Sequence, residues 1–451
     1  MVKVLFGCLK SDKFSGIPHL LRLKEGTVLY KYVINGGKRL SGTVSVSGFK
    51  NAADGILPAS LMCEEPVRVE NIPNIRDVLL WLDIFRDMGV RVDELHHGAY
   101  EIDAKNICRD EPPYEHMRQM RASYYLLGAM LSRFGKAAVS MPGGCDFGVR
   151  PIDQHIKAFE AMGASIDVQG GVIRATTPDG KLHGAHIYFD VMTVGGTINA
   201  ILGATLAEGQ TILENCAREP HVVDVANFLN SMGADIRGAG TNVIKIRGVE
   251  KLHSCSYTII PDQIEAGTYM IFAAATAGDL TITGVIPKHL ESITAKLREI
   301  GVTVEELDDA VRVTRKGNLR RANIITLEYP GFPTDMQPQM AALLCLAERP
   351  STITESIFEN RFKYVSELNR MGASIMVSGK TATILPAERL TGTPVRACDL
   401  RAGAALIVAG LVAEGTTEIE DIIYVERGYE DIVGKLRSVG ADISRVEVIG
   451  G

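Results

Sequence analysis

The chain lacks the marks of several large protein classes. Its 451 residues carry no basic excess, and the formal net charge of -6 argues against a nucleic-acid binder, which presents a basic surplus or stripe. No apolar run is long enough to cross a bilayer. The longest, Ala402–Ala413, contains Gly403 and Gly410 and falls well short of the roughly 20 residues a spanning helix needs. The N-terminal MVKVLFGCLKSDKF has an apolar run too short for a signal peptide and no small-residue cleavage site after it. The 8 cysteines form no CxxC pair and read as scattered reduced thiols, which predicts a cytoplasmic protein without a disulfide framework. There is no HExxH, and the 10 histidines show no zinc-ligand spacing, so no metal is expected. Gly379-Lys380-Thr381 ends like a P-loop, but Ser374 stands where its first glycine belongs. Gly238-Ala239-Gly240 opens a dinucleotide fingerprint that fails at Val243. Any phosphate must then be held by discrete side chains and helix N-termini.

What is present is soluble and repetitive. With 46% hydrophobic and 23% charged residues, the chain has material for two cores, and its length predicts two domains of about 200 residues each. A helical segment ending in an apolar residue, Gly and a short β-branched run recurs six times. The copies are DMGVRV at Gly89, AMGASI at Gly163, SMGADI at Gly233, EIGVTV at Gly301, RMGASI at Gly372 and SVGADI at Gly440. The intervals of 74, 70, 68, 71 and 68 residues are too even for an ordinary doubly wound sheet. Glycine suits each position because it takes the left-handed conformation that ends a helix before a strand. Upstream, LAEGQTIL from Leu206 parallels VAEGTTEI from Val412, each reading as helix end, turn at Glu-Gly and alternating strand. Six α/β units over residues 36–451 predict two domains of three units. Residues 1–35 hold no copy of the pattern and read as an extension.

Three segments carry candidate chemistry. Val46–Ala53 places Lys50 and Asn51 after a strand at a helix start, which read alone is a solvated turn. Met141–Pro151 sets Cys145 in a loop of three glycines and two prolines, five residues before Arg150. A lone cysteine is usually a small buried hydrophobe, but this setting favours a functional thiol. Tyr329–Gln337 holds Asp335 where Thr or Asp after Pro commonly caps a helix.

Together these segments resemble one family, the UDP-N-acetylglucosamine 1-carboxyvinyltransferases. The resemblance runs from about Tyr32 to Val446. It rests on SGFKNAA at 47–53, MRASYYLLG at 120–128, PGGCDFGVRPID at 142–153, AREPHVVDVANFL at 217–229, PGFPTDMQ at 330–337, FENRF at 358–362 and DLRAGAAL at 399–406. It implies a two-domain, inverse α/β barrel-like fold, each domain three repeated βαβαββ units. The domain crossings then fall near Lys50 and Ile260, dividing the chain into an N-terminal half 50–260 and a C-terminal half of 36–49 plus 261–451. The implied substrates are phosphoenolpyruvate and UDP-N-acetylglucosamine, with no cofactor, nucleic acid or membrane involved.

The resemblance also implies the site. Phosphoenolpyruvate carries a phosphate and a carboxylate and needs several fixed cations, some with a planar donor fork. Lys50, Arg121, Arg150 and Arg427 match that role, with Asn51 and Arg401 beside them. Cys145 matches the family's proton donor, which also forms a covalent adduct with phosphoenolpyruvate. A thiol near its ordinary pKa of about 8.5 can serve as acid and, near arginines, as nucleophile. Asp335 matches the carboxylate that orients or deprotonates the sugar hydroxyl. For the sugar nucleotide the matching positions are Arg121, Arg150, Pro151, Ile152, Asp153, Gln154, Val191, Met192, Thr193, Val194, Asp335 and Ile357. Here the sequence departs from its family, which often has a lysine in a Lys-Val-Ser-Val-Gly run where this chain reads Val191-Met192-Thr193-Val194-Gly195. Losing that cation predicts weaker diphosphate or uridine contacts. Two other readings stand beside this one. A shikimate-pathway enolpyruvyl transferase would share the repeats and cations but is not expected to carry the PGGC loop or FENRF. A non-catalytic sugar-nucleotide-binding paralogue is expected to have lost Cys145 or Asp335.

Overall fold

The computed structural model describes residues 29–107, 117, 120–140 and 152–448. Its helices lie inside and its sheets outside. The helix Gln263–Ala275 is buried on every face, and Leu400–Val412 is buried from Arg401 to Leu411. A helix that is apolar all round belongs in a core. These two pack on each other and on Gln337–Leu344. In the other half, Val194–Thr205 packs on Tyr125–Phe134, which packs on Lys50–Ser60. The strands outside alternate, as in Val243–Arg247, where Ile244 and Ile246 are buried and Lys245 and Arg247 exposed.

Each half has three small sheets built to one plan. The strand His186–Tyr188 leads through the helix Val194–Thr205 to the parallel strand Gln210–Glu214. The helix Pro220–Ser231 and the hairpin Asp235–Arg237 and Val243–Arg247 complete the βαβαββ unit. The sheet of Asn323–Ile325, Ser351–Thr354, Thr381–Leu385 and Ser374–Ser378 repeats this order. All six repeat glycines have φ from 87° to 99°. Each closes its helix in the same way. At Gly89 the glycine N–H donates to Arg86 and the Val90 N–H to Phe85, the paired bonds of a Schellman cap.

Two sheets take a strand from a part of their own half that is distant in sequence. Ser256–Thr258, late in the first half, pairs parallel with Val67–Glu70 and completes that half's first sheet. Ser41–Ser45 pairs parallel with Asp279–Thr283 and completes the first sheet of the second half. The two crossovers run side by side, with the Phe49 N–H donating to Ile260 and the Asp262 N–H to Ser47. Here a Cβ on Gly48 would sit 1.7 Å from the Asn71 carbonyl oxygen, whose residue also binds the Ile259 carbonyl through Nδ2 at 2.9 Å. Gly48→Ala is therefore expected to destabilise the protein by about 3 kcal/mol. An unchanged denaturation midpoint would show that the crossover relaxes freely.

The structure corrects one sequence boundary. Residues 29–35, assigned to the N-terminal extension, form the strand Leu29–Asn35, which lies between Thr416–Glu420 and Asp442–Val448 and pairs antiparallel with both. The sixth unit supplies only one strand after Gly440, so the missing hairpin partner comes from the other end of the described chain. Among the described residues no helix is long and apolar enough to cross a membrane.

Candidate active site

Two charge clusters meet where the crossovers pass. The first is built on Lys50, at the start of its helix. Its Nζ lies 2.8 Å from Asp54 and 3.0 Å from Asp77. Asp77 also takes the fork of Arg427 from the other half, Nε at 2.8 Å and the second nitrogen at 3.1 Å. Trp81 fixes Asp54 by donating Nε1–H at 3.0 Å. Burial opposes the charge of Lys50, but Asp54 and Asp77 overcome it and hold the ammonium above its ordinary range. Burial likewise works against ionised Asp77, and Lys50 and Arg427 outweigh it, holding the carboxyl low.

The second cluster centres on Asp335, in the turn Thr334–Met336 that starts the helix Gln337–Leu344. One oxygen accepts from Arg361 at 2.8 Å and the other from Arg401 at 3.1 Å. The two arginine side chains are 3% and 4% exposed, whereas Asp335 is 27% exposed, so the carboxylate is the open member of the trio. Burial would raise its pKa, but the two guanidinium groups hold it far below the usual carboxylate range. Each oxygen keeps a second acceptor position. Arg401 is braced by the Tyr429 hydroxyl at 3.2 Å, and Arg361 lies over the Phe358 ring. Asp262 links the clusters. Its carboxylate accepts the Lys50 backbone N–H at 3.4 Å, and Arg401 is its strongest charged neighbour.

Lys50, Arg401, Arg427 and Asp335 are thus gathered at one seam. Asn51, half-buried, follows Lys50 in the same first turn. Two further segments are joined by side chains. Gln154, next to Ile152 and Asp153 at a helix start, exchanges two hydrogen bonds with Asp190, which precedes Val191, Met192, Thr193 and Val194. Thr193 caps the helix Val194–Thr205 through the Gly196 N–H. Lys157 reaches Asp190 at 2.7 Å, placing a cation beside the run that lacks its lysine. Ile357 is held toward the Asp335 turn because Glu355 accepts both its N–H and the Thr334 hydroxyl. Cys145, Arg150 and Pro151 lie outside the described residues, as does the side chain of Arg121, whose backbone opens the turn Arg121–Tyr124.

Sequence reasoning quoted FENRF without assigning Arg361, and it missed Asp54, Asp77 and Tyr429. Asp54 was visible in principle as the acid four residues after Lys50. Asp77 had no local signal, since its partner Arg427 is 350 residues away.

Comparison with known proteins agrees with this architecture. Residues 34–436 match the family model described as EPSP synthase (3-phosphoshikimate 1-carboxyvinyltransferase). The enolpyruvyl transferase NikO from Streptomyces tendae superposes with a TM-score of 0.84 at 29% identity, over 94% of this chain and 100% of its own. EPSP synthase from Acinetobacter baumannii shares the fold, with a TM-score of 0.73 at 20% identity over 93% and 100%. The fold is that of the enolpyruvyl transferases.

Two curated relatives narrow this. The UDP-N-acetylglucosamine 1-carboxyvinyltransferase 3 of Caldanaerobacter subterraneus is 57% identical, covering 92% of this chain and 99% of its own. The corresponding protein of Clostridium botulinum is 55% identical over 92% and 100%. The chain belongs to the UDP-N-acetylglucosamine 1-carboxyvinyltransferase family.

Proposed function

We propose that this protein transfers the enolpyruvyl group of phosphoenolpyruvate to the 3'-hydroxyl of UDP-N-acetylglucosamine, releasing phosphate, as the first committed step of peptidoglycan precursor synthesis. The observation that carries the reading is Asp335, ionised and open between two buried arginines beside the Lys50–Arg427 pair. That arrangement offers fixed cations for an anionic substrate and one carboxylate for a hydroxyl. Lys50, Arg427 and Arg401 receive the phosphate and carboxylate, with Asn51, Arg121 and Arg150 as further members. The sugar oxygen attacks C2 of phosphoenolpyruvate while Cys145 delivers a proton to C3. Loss of a C3 proton and departure of phosphate from C2 then restore the double bond in the product. A carboxylate held this low is a weak proton acceptor. It strengthens when the anionic substrate engages Arg401 and draws it away, so base strength rises only in the filled site. The segments 152–154 and 191–194, with Ile357, hold the sugar nucleotide. The five described cysteines are unpaired, which supports a reducing, cytoplasmic location.

The test is phosphate release on mixing phosphoenolpyruvate with UDP-N-acetylglucosamine, against shikimate 3-phosphate. Release with shikimate 3-phosphate alone would replace this reading with the shikimate-pathway one. Arg361→Lys, which keeps charge but loses the planar fork, is expected to lower kcat about tenfold with little change in the KM for phosphoenolpyruvate. Unchanged kinetics would remove Arg361 from the alignment of Asp335.

The candidate residues fall in both halves, 50–260 and the remainder with Leu29–Asn35 included, and the halves act as domains that close further on the substrates. Closure would exclude water and strengthen each cation–anion contact. Saturating UDP-N-acetylglucosamine is expected to reduce the radius of gyration in solution scattering, and an unchanged radius would mean a preformed site.

A further inference from the structure

Among the described residues, the segment around the start of the helix Pro220–Ser231 holds three unsatisfied buried polar atoms. Arg218 Nε, Glu219 Oε2 and His221 Nδ1 are all buried without a hydrogen-bond partner. Native interiors leave few such groups, because each one is destabilising. Beside Phe49 and the Lys50 cluster, these three atoms give a ligand groups to meet.

The position of the segment says which ligand. His221 is 6% exposed, and its ring stands edge-on to Phe49, the residue before Lys50, with centroids 5.2 Å apart. The charged groups that act on it are Asp335 and Lys50, one from each cluster. Burial, foremost, raises the Glu219 carboxyl, and the Tyr329 backbone N–H of the other half, in the loop leading to Asp335, is among the groups that act against that rise. Burial, foremost, pushes the imidazole down to about 4, so it is neutral at working pH. The anions already have their cations in Lys50, Arg401 and Arg427. A neutral imidazole and the free oxygen of a carboxylate match neutral hydroxyl and amide groups instead.

We propose that His221 is a further substrate-facing residue, hydrogen-bonding the amino sugar through Nδ1 next to the hydroxyl that Asp335 orients. The assignment rests on the transfer reaction proposed above. Satisfied packing on Phe49 explains the ring's burial but leaves Nδ1 without a role. The sugar supplies the missing partner.

Two variants of the full chain test it. His221→Phe keeps a planar ring and removes the polar atom. His221→Asn places an amide where Nδ1 was. The Phe variant is expected to raise the KM for UDP-N-acetylglucosamine about tenfold, leave the KM for phosphoenolpyruvate unchanged, and melt at the same or a higher temperature. The Asn variant is expected to recover most of the sugar-nucleotide affinity. A Phe variant with wild-type KM for the sugar nucleotide would overturn the proposal. So would a lower melting temperature in both variants with equal effects on both substrates, which marks a core histidine. If the wild type released no phosphate with UDP-N-acetylglucosamine, the reaction assigned above would fail on its own. Calorimetric titration of wild type and His221→Phe with UDP-N-acetylglucosamine then decides for His221, and equal or absent binding overturns it.

Discussion

Replacing Cys145 by serine is expected to lower kcat at neutral pH by a hundredfold or more, roughly what loss of a general acid removes. A hydroxyl is a far weaker acid and nucleophile than a thiol, and both properties serve the proposed reaction. Cys145→Asp should keep part of the rate, because a carboxylic acid can still protonate C3, while escaping thiol-directed epoxides. The wild type treated with such an epoxide is expected to carry the label on Cys145. The five described cysteines are poor competitors. Cys63, Cys216 and Cys345 are buried, and burial pushes the thiols of Cys216, Cys345 and Cys398 up to about 12. Burial also raises Cys63 and Cys255. None of these five offers much thiolate at neutral pH. Peptide mass spectrometry reads the outcome, and a serine variant with near-wild-type kcat at pH 7 would remove Cys145 from proton transfer.

Asp335→Asn is expected to lower kcat by roughly 10²–10⁴ and to change sugar-nucleotide affinity much less. The amide keeps the shape but removes the charge, and its NH₂ would face one of two guanidinium groups that can only donate. The pH dependence has a definite sign. The folded-state pKa of Asp335 is depressed, so the stability it contributes is present above the ordinary carboxylate value of about 4 and is lost as pH falls through the lower folded value. The variant should therefore be less stable than wild type at pH 7, with the gap narrowing in strong acid. An acid limb in the rate profile near neutrality belongs to another group. Retained kcat with lost affinity would make Asp335 a binding or capping residue.

The repeat architecture was legible because a helix of each unit ends on a glycine whose backbone only glycine adopts readily, and six such positions at near-equal spacing leave a strong periodic trace. As candidates, Lys50, Arg401 and Asp335 were legible because each sits at or beside a helix start or turn in a motif of distinctive composition, whereas Arg427 came only with the family resemblance. The strand Leu29–Asn35 was not, since a single strand has no period and its partners lie at the far end of the sequence. Asp77 and Tyr429 were hidden for the same reason, because their partners come from distant elements brought together by folding. His221 was hidden differently. Its motif was quoted, but a histidine after Pro at a helix start reads as ordinary until its Nδ1 is found buried and alone.

The central claim is that the carbon fragment of phosphoenolpyruvate, and not its phosphoryl group, passes to the sugar. Mass spectrometry of the sugar nucleotide after turnover decides this directly. The account predicts UDP-N-acetylglucosamine bearing one added carboxyvinyl group, with an equal amount of inorganic phosphate in solution. A sugar nucleotide carrying an added phosphate, with free pyruvate beside it, would contradict the account.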